Sequence, residues 1–370
     1  MNITEVLTKK DLKNFINVPW TLYKDDPNWV APLKMAVKEL FDPKHPFYKT
    51  SSIKSWLLES EGVYIGRISA VYNTAYNEFH NENAGFYGFF ECSNNQQAAN
   101  KLLETAENFL KEKHNIEKIY GPMNPSTNYE CGSLVEGFDD PPQLMMTYNQ
   151  KYHAELMEKS GYTKAKDLLA LNINMDFEMP EVFRKVSERA EKRSKVTYRH
   201  LNKKDWDNEI EKMIEIYNSA WEKNWGFIPM SREEFYHTAK DLKTVADERL
   251  IIFVEVDGDP AGFVVTLPDL NQALKHNPSG NLLPTGIFKV LFHKKYVDRC
   301  RVITLGIKAK YRNLGLGPLM YLKSYDVVKQ IGYRETEMSW ILEDNNDMCK
   351  PLFRMGGEVY KKYRIYEKTF

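Results

Sequence analysis

Two apolar runs, Leu250 to Val256 and Ala261 to Leu267, flank Asp257-Gly258-Asp259. Short β-branched runs around an Asp-Gly turn predict a hairpin. Further on, Val302–Ile307 is another β-branched run, and Glu335–Ile341 alternates polar with apolar, so both read as strands. Between them, Pro318 to Lys323 runs on to Val327-Val328 and predicts a helix with proline in its first turn. The first half repeats this order. Ser51 to Glu59 and Tyr64 to Val71 flank Glu61-Gly62, and Ala84 to Glu91 is an aromatic strand. Leu102, Leu103, Ala106, Phe109 and Leu110 give Gln97 to Lys113 one apolar helical face. Ile116 to Gly121, a helix over Tyr152 to Ser160 and a strand over Leu168 to Ile173 complete the set. Strand–helix alternation of this kind predicts an α/β class with a mixed sheet. A chain of 370 residues exceeds what one core usually supports, so two domains are expected, 1–180 and 181–370.

Two segments break the pattern. Pro19 to Leu33 is rich in aromatics and proline, and Gly121 to Asn149 reads as a long irregular insertion. Loops of that length inside a domain tend to be functional. Asn124, Asn128, Glu130 and Asn149 would offer polar groups among Met and Tyr there. A pocket lining and an ordered cover over a sheet edge are both compatible with that mix.

The segment with the most chemistry is Arg312-Asn313-Leu314-Gly315-Leu316-Gly317, set between the strand and the Pro318 helix. Its glycines let the backbone turn sharply and approach a ligand closely. The N–H groups of such a bend and of the helix start have no partner inside the helix. The helix dipole also favours negative charge there, so a phosphate or pyrophosphate is the natural guest. The first half has Cys92 to Ala99 at the matching place, with no glycine and no arginine. That half is expected not to hold such an anion in the same way.

These residues resemble the GNAT acyltransferase superfamily, whose Arg/Gln-x-x-Gly-x-Gly/Ala loop cradles the pyrophosphate of acetyl-CoA or a longer acyl-CoA. Ile307 to Arg312 is similar to the lead-in from the family's fourth strand, with Ala309 where proline is common. Asn346 to Gly357 is similar to its Asn-x-x-Ala-x-x-Leu-Tyr-Glu-Lys-Leu-Gly helix, and Val359 to Tyr366 to its closing strands. The resemblance covers most of 181–370 and implies a tandem protein. Its first half would be a degenerate GNAT-like copy and its second half the acyl-CoA-binding one.

Amine acylation needs a held thioester, a polarised carbonyl, a base for the amine proton and an acid for the thiolate. The resemblance implies that Leu305, Gly306 and Ile307 offer backbone to the cofactor, with Arg312 to Gly317 at the pyrophosphate. Asn346 either fixes the cofactor or only caps its helix. Phe353 stands where the family often has tyrosine, and phenylalanine cannot donate a proton. Glu337, Glu343 or a water-mediated base are the candidates for the base, and Tyr360, Tyr363 and Tyr366 the candidate hydroxyls, with Tyr360 first among them. Trp221, Trp225, Phe227 and Ile228 fall where the family borders its acceptor.

Charge and composition narrow the classes. With 51 basic and 51 acidic residues the net charge is zero, which gives no general attraction to nucleic acid or an anionic membrane. Partners are therefore expected to be a small-molecule or protein amine, with no nucleic acid and no membrane. Cys92, Cys131, Cys300 and Cys349 are far apart, and neither they nor the eight histidines show metal spacing. No metal is expected. Met1 to Lys13 lacks an apolar signal core, and a cytoplasmic setting is the expectation. The reading is transfer of an acetyl or longer acyl group from acyl-CoA, or from acyl carrier protein, to an amine. A non-catalytic acyl-CoA sensor and an aminoacyl-tRNA-dependent transferase of the Fem type are the alternatives. The last should carry a basic tRNA surface.

Overall fold

The computed structural model describes residues 1–193, 195–243, 246–284, 286–292 and 295–370. They form two compact units. The first comprises Met1–Leu168, Ala273–Phe292 and Lys361–Phe370, and the second Leu169–Gln272 and His293–Tyr360. Each unit therefore takes chain from both halves of the sequence.

The first unit runs β1 (Asn2–Glu5), α1 (Lys9–Leu22), α2 (Lys34–Glu39), β2 (Ser51–Ser60), β3 (Val63–Asn73), α3 (Thr74–His80), β4 (Ala84–Cys92), α4 (Gln96–His114) and β5 (Lys118–Gly121). The predicted insertion is less irregular than its composition implies. It holds β6 (Met123–Asn124), β7 (Glu130–Cys131) and β8 (Ser133–Glu136), too short to leave a periodic signal. The helix α5 (Tyr152–Lys159) and the start of β9 (Thr163–Asn174) follow. The second unit takes the rest of β9, then α6 (Glu181–Arg193), β10 (Val196–His200), α7 (Trp206–Ala220), α8 (Arg232–Lys243), β11 (Ile251–Val256) and β12 (Asp259–Pro268). The chain passes through α9 (Leu270–Leu274) and α10 (Gly286–Leu291). It returns as β13 (Arg299–Ile307), α11 (Leu316–Ile331), β14 (Glu335–Leu342), α12 (Asn346–Arg354) and β15 (Glu358–Thr369).

In the first unit the strands order β1-β2-β3-β4-β5-β15, with β8 also paired to β15. Helix α4 turns Ala98, Leu102, Leu103, Ala106 and Leu110 onto Leu58, Ile68, Ala70 and Tyr87. That is the apolar face read from the sequence. Truncating fully buried Leu102 to alanine would cost about 2–5 kcal/mol. The Pro19–Leu33 segment also finds its use here. Trp29 stacks on Tyr23 at 5.4 Å and meets Trp20 edge-on at 5.2 Å. The Trp20 indole N–H donates to the Pro278 carbonyl at 2.8 Å, and the Lys34 amide to Gly280 at 2.9 Å. These bonds tie down the base of the Ala273–Phe292 excursion.

In the second unit the order is β9-β14-β13-β12-β11-β10. Helix α11 packs Leu316, Leu319, Met320, Leu322 and Val328 against Ile252, Val254, Val264, Val302 and Met338. The predicted hairpin is present, with β11 and β12 antiparallel from Ile251↔Val265 to Val256↔Asp259. Among the described residues no helix is long and apolar enough to cross a membrane.

Candidate active site

Strands β13 and β14 run parallel but pair only from Arg299↔Glu335 to Val302↔Met338. Beyond Val302, β13 continues to pair with β12, from Thr304↔Val265 to Ile307↔Gly262. The register slips by one between these stretches, so Ile303 is an extra residue that bends β13. The two strands thus part like a fork, and the β13 edge from Ile303 onward lies outside the β14 ladder. Gly306, on that stretch, has no room for a side chain. A Cβ there would lie 2.2 Å from Trp221 Cη2 and 3.1 Å from the Ala220 Cβ. The indole of Trp221, at the end of α7, therefore lies directly on the strand. Tyr217 and Phe263 flank it, with ring centroids 4.9 and 6.2 Å away.

From β13 the chain enters a short 3-10 helix, Ala309–Leu314, and then Gly315 at φ +77° before α11. One carboxylate fixes the entry to this turn. Asp259 accepts from the Tyr311 hydroxyl at 2.6 Å and from Lys310 at 2.7 Å, with Lys308 at 3.4 Å. These cations and the hydroxyl hold its carboxyl down at about 2. Lys308 is buried and also donates to Glu215 at 2.6 Å. On the far side of the bend, a Cβ at Gly315 would meet Val186 Cγ1 at 3.3 Å and Ala190 Cβ at 3.7 Å, so α6 covers that side. At half-buried Gly317 a Cβ would make ordinary contact with Ile307 Cδ1 at 3.9 Å and Tyr321 Cε2 at 4.0 Å, so a side chain fits at the helix start. Leu316 and Gly317 are first-turn residues whose amides have no intrahelical acceptor, and Pro318 has no N–H at all. Buried Leu316 locks their backbone to the core. Asn313 is exposed, and Leu314 packs against the core.

A polar cluster occupies one face of the sheet where the fork opens. Even-numbered Val302, Thr336 and Met338 face α11 through Tyr321, Tyr325 and Val328. Odd-numbered Arg301, Glu337 and Ser339 face the other way. Glu337 is fully buried and 3.4 Å from the Arg301 guanidinium. The Ser339 and Tyr360 hydroxyls both donate to its carboxylate. Arg301 also donates to the Ser339 hydroxyl at 2.7 Å and its carbonyl at 3.0 Å. Removing one partner from such a buried charge pair costs about 3–5 kcal/mol, so the cluster is firmly held. Among the described residues no group of His, Cys, Asp and Glu is arranged to hold a metal.

Residues 210–356 match the model of the acetyltransferase (GNAT) family. Over the whole chain, the protein is 35% identical to Protein YghO of Escherichia coli K12, with 98% of this chain and 94% of that one covered. It is 36% identical to the bacterial ceramide synthase of Caulobacter vibrioides, with 100% and 97% covered. A tandem GNAT protein from the clavulanic acid pathway superposes with a TM-score of 0.57 at 12% identity, covering 100% of this chain and 98% of its own. The chain belongs to the GNAT superfamily. It is a tandem member, and the fold implies acyltransferase activity with acyl-CoA as co-substrate.

Within this GNAT frame the sequence-derived residues separate. Leu305, Gly306, Ile307 and the Gly315-Leu316-Gly317 backbone lie along one path, from the fork to the start of α11. Arg312 does not project from it. Its guanidinium donates to the Ala220 carbonyl at 2.7 Å, and its Nε to the Ile307 carbonyl at 3.4 Å. It braces the end of α7 against the strand. Glu337 and Tyr360 come together, whereas Glu343 is exposed beyond the end of β14. The cap of α12 is Asn345, whose side chain accepts from Met348, while exposed Asn346 donates to the Asp344 carbonyl at 3.4 Å. Phe353 is about half exposed on α12, and Phe227 and Ile228 are core residues. Sequence reasoning missed Arg301 and Ser339. The signal was present: Arg299-x-Arg301 faces Glu335-x-Glu337 in parallel register, with the outer pair 3.0 Å apart.

The first unit has a fork of the same kind with a different content. Strands β4 and β5 pair only from Ala84↔Lys118 to Phe86↔Tyr120. The bulged Phe89 amide then donates to the Asn124 side-chain oxygen at 2.6 Å. A Cβ on Gly88 would fall 1.7 Å from the Met123 carbonyl oxygen. Segment β6 therefore fills this fork. At the start of α4, Asn95 accepts from the Ala98 amide at 3.1 Å and satisfies the helix start with its own chain.

Proposed function

We propose that the second unit transfers an acyl group from acyl-CoA to an amine, and that the acceptor is a long-chain lipid amine. The observation that carries the transfer is the parting of β13 from β14, which leads to a helix start at Gly317 where a Cβ would meet nothing closer than 3.9 Å. A pantetheine arm needs such an edge, and a diphosphate needs free first-turn amides beside a helix dipole. The acceptor class rests on full-length similarity to a bacterial ceramide synthase, since ceramide is an N-acylated lipid amine.

In this reading the amine attacks the thioester carbonyl, the C–N bond forms and the C–S bond breaks. The amine proton ends on the departing thiol. Tyr360, half-buried and hydrogen-bonded to Glu337, handles that proton. Glu337 is too deeply buried to meet substrate and serves as a positioning residue, its charge balanced by Arg301. Trp221 lies over the strand beside the thioester and limits how the acceptor approaches.

The test is thiol release from acetyl-CoA and palmitoyl-CoA over a panel of short and long-chain amines, with the product weighed by mass spectrometry. An N-acyl product from a long-chain amine is expected. Tight acyl-CoA binding with no thiol release for any amine would leave a sensor instead, the outcome that the exposed phenylalanine at 353 favours.

A further inference from the structure

The excursion Ala273–Phe292 carries an apolar face that the fold does not cover. Leu283, Phe288, Leu291 and Phe292 are 69, 56, 58 and 64% exposed. Phe288 and Leu291 stand at i and i+3 on α10, and Phe292 follows at i+4 in the turn that ends it, its amide donating to the Phe288 carbonyl, so the three share one side. Gly286 is buried, and Ile287 and Val290 are half-buried. A short helix in a water-soluble protein normally turns its bulky residues inward, and this one turns them outward.

Charge selects the partner. No Asp or Glu occurs between Asp269 and Asp298, whereas Lys275, Lys289, Lys294 and Lys295 do. The chain as a whole is neutral, so this run is a local basic island that the net charge conceals. Large apolar side chains among lysines, with no acid, are the composition of an element that sits in a membrane interface. A protein partner would be expected to meet some acidic side chains on the rim, and this run has none. The base of the excursion is held by Trp20 and Lys34, so the face stands on a fixed support. Six residues separate Phe292 from β13, the strand that forms the fork.

We infer that Leu283 to Phe292 is a membrane-docking element that seats the protein on an anionic lipid surface. Its apolar side chains enter the acyl boundary and its lysines meet the headgroups. This departs from the expectation of no membrane partner. It goes beyond the acyltransferase reading and does not depend on it, because the test reads binding and not turnover.

The full chain would be floated with phosphatidylcholine vesicles, with and without one-quarter phosphatidylglycerol. Wild type should float with the anionic vesicles and lose most binding in high salt. Replacing Phe288, Leu291 and Phe292 together with serine should weaken binding by about tenfold or more. The Lys289→Glu/Lys295→Glu variant should weaken it by roughly tenfold on anionic vesicles alone. These sites are at the surface or near it, and an unchanged melting temperature would confirm folding. A Phe292→Cys variant carrying an environment-sensitive dye should shift to the blue on anionic vesicles, since the four native cysteines are buried. Wild-type protein that floats with neither vesicle overturns the inference, as does a triple-serine variant that floats equally well. A triple-serine variant that changes only the oligomeric state, with no vesicle binding by wild type, would assign the face to a second copy of the chain and overturn it too.

Discussion

The two forks, β4–β5 and β13–β14, are built alike and finished differently. In each, a parallel pair of strands separates after a few residues where an extra residue bends the inner strand. In the first, the chain supplies its own acceptor and carbonyl through Met123 and Asn124. In the second, a tryptophan ring lies along the strand and the helix start beyond it has room for a Cβ at Gly317. A parted sheet is therefore not in itself a binding site. What lies between the prongs decides whether the local hydrogen-bonding capacity serves stability or a ligand.

The most severe way to break this comparison is Gly317→Glu. The Cβ has room, so the fold should hold, while a carboxylate would sit where the diphosphate belongs. Acyl-CoA affinity should fall by about 100-fold or more by isothermal titration. The same titration on wild type should give one acyl-CoA per chain. Two sites would mean that the first fork is not blocked. Next in size is Tyr360→Phe. Turnover should drop by about 100-fold with acyl-CoA affinity unchanged, and the pH–rate profile should lose a limb. An equal loss of affinity would make Tyr360 a structural residue only.

Asn124→Ala sharpens the comparison from the other side. It strands the Phe89 amide, so urea denaturation should show a loss of about 1–3 kcal/mol, with acyl-CoA affinity untouched. Gain of a second acyl-CoA would show that one side chain alone keeps the first fork closed. The smallest effect concerns pH. Burial pushes the Glu91 carboxyl up to about 7, against the pull of Arg67 at 3.6 Å and the Tyr23 hydroxyl at 2.6 Å. A carboxyl raised on folding stabilises below its unfolded value of 4.5, and that contribution is lost as pH rises through 7. Glu91→Gln should flatten the stability profile between pH 6 and pH 8 by about 1 kcal/mol. A profile that keeps its slope would assign the titration elsewhere.

Much of this was legible in the chain because its cause is local. The β11–β12 hairpin, the α4 face and the bend at Gly315 each follow from neighbours in sequence. Glu337 and Tyr360 could be nominated because alternation puts them on strands, but their meeting depends on pairing across the sheet. Arg312 could be nominated from its motif, but its bond to the Ala220 carbonyl, 92 positions away, shows only in the fold. The filling of the first fork was invisible for a similar reason, since Asn124 reaches back 35 positions to Phe89. Motifs report what a backbone can offer, and only the fold reports what already occupies the offer.

Asp259 carries a last consequence. Three side chains at the entry to the Ala309–Leu314 turn converge on one carboxylate, whose pKa they pull down to about 2. The mooring thus stays charged through the mildly acidic range. A proton-linked change in cofactor affinity near neutrality would therefore have to arise at a group other than this carboxylate.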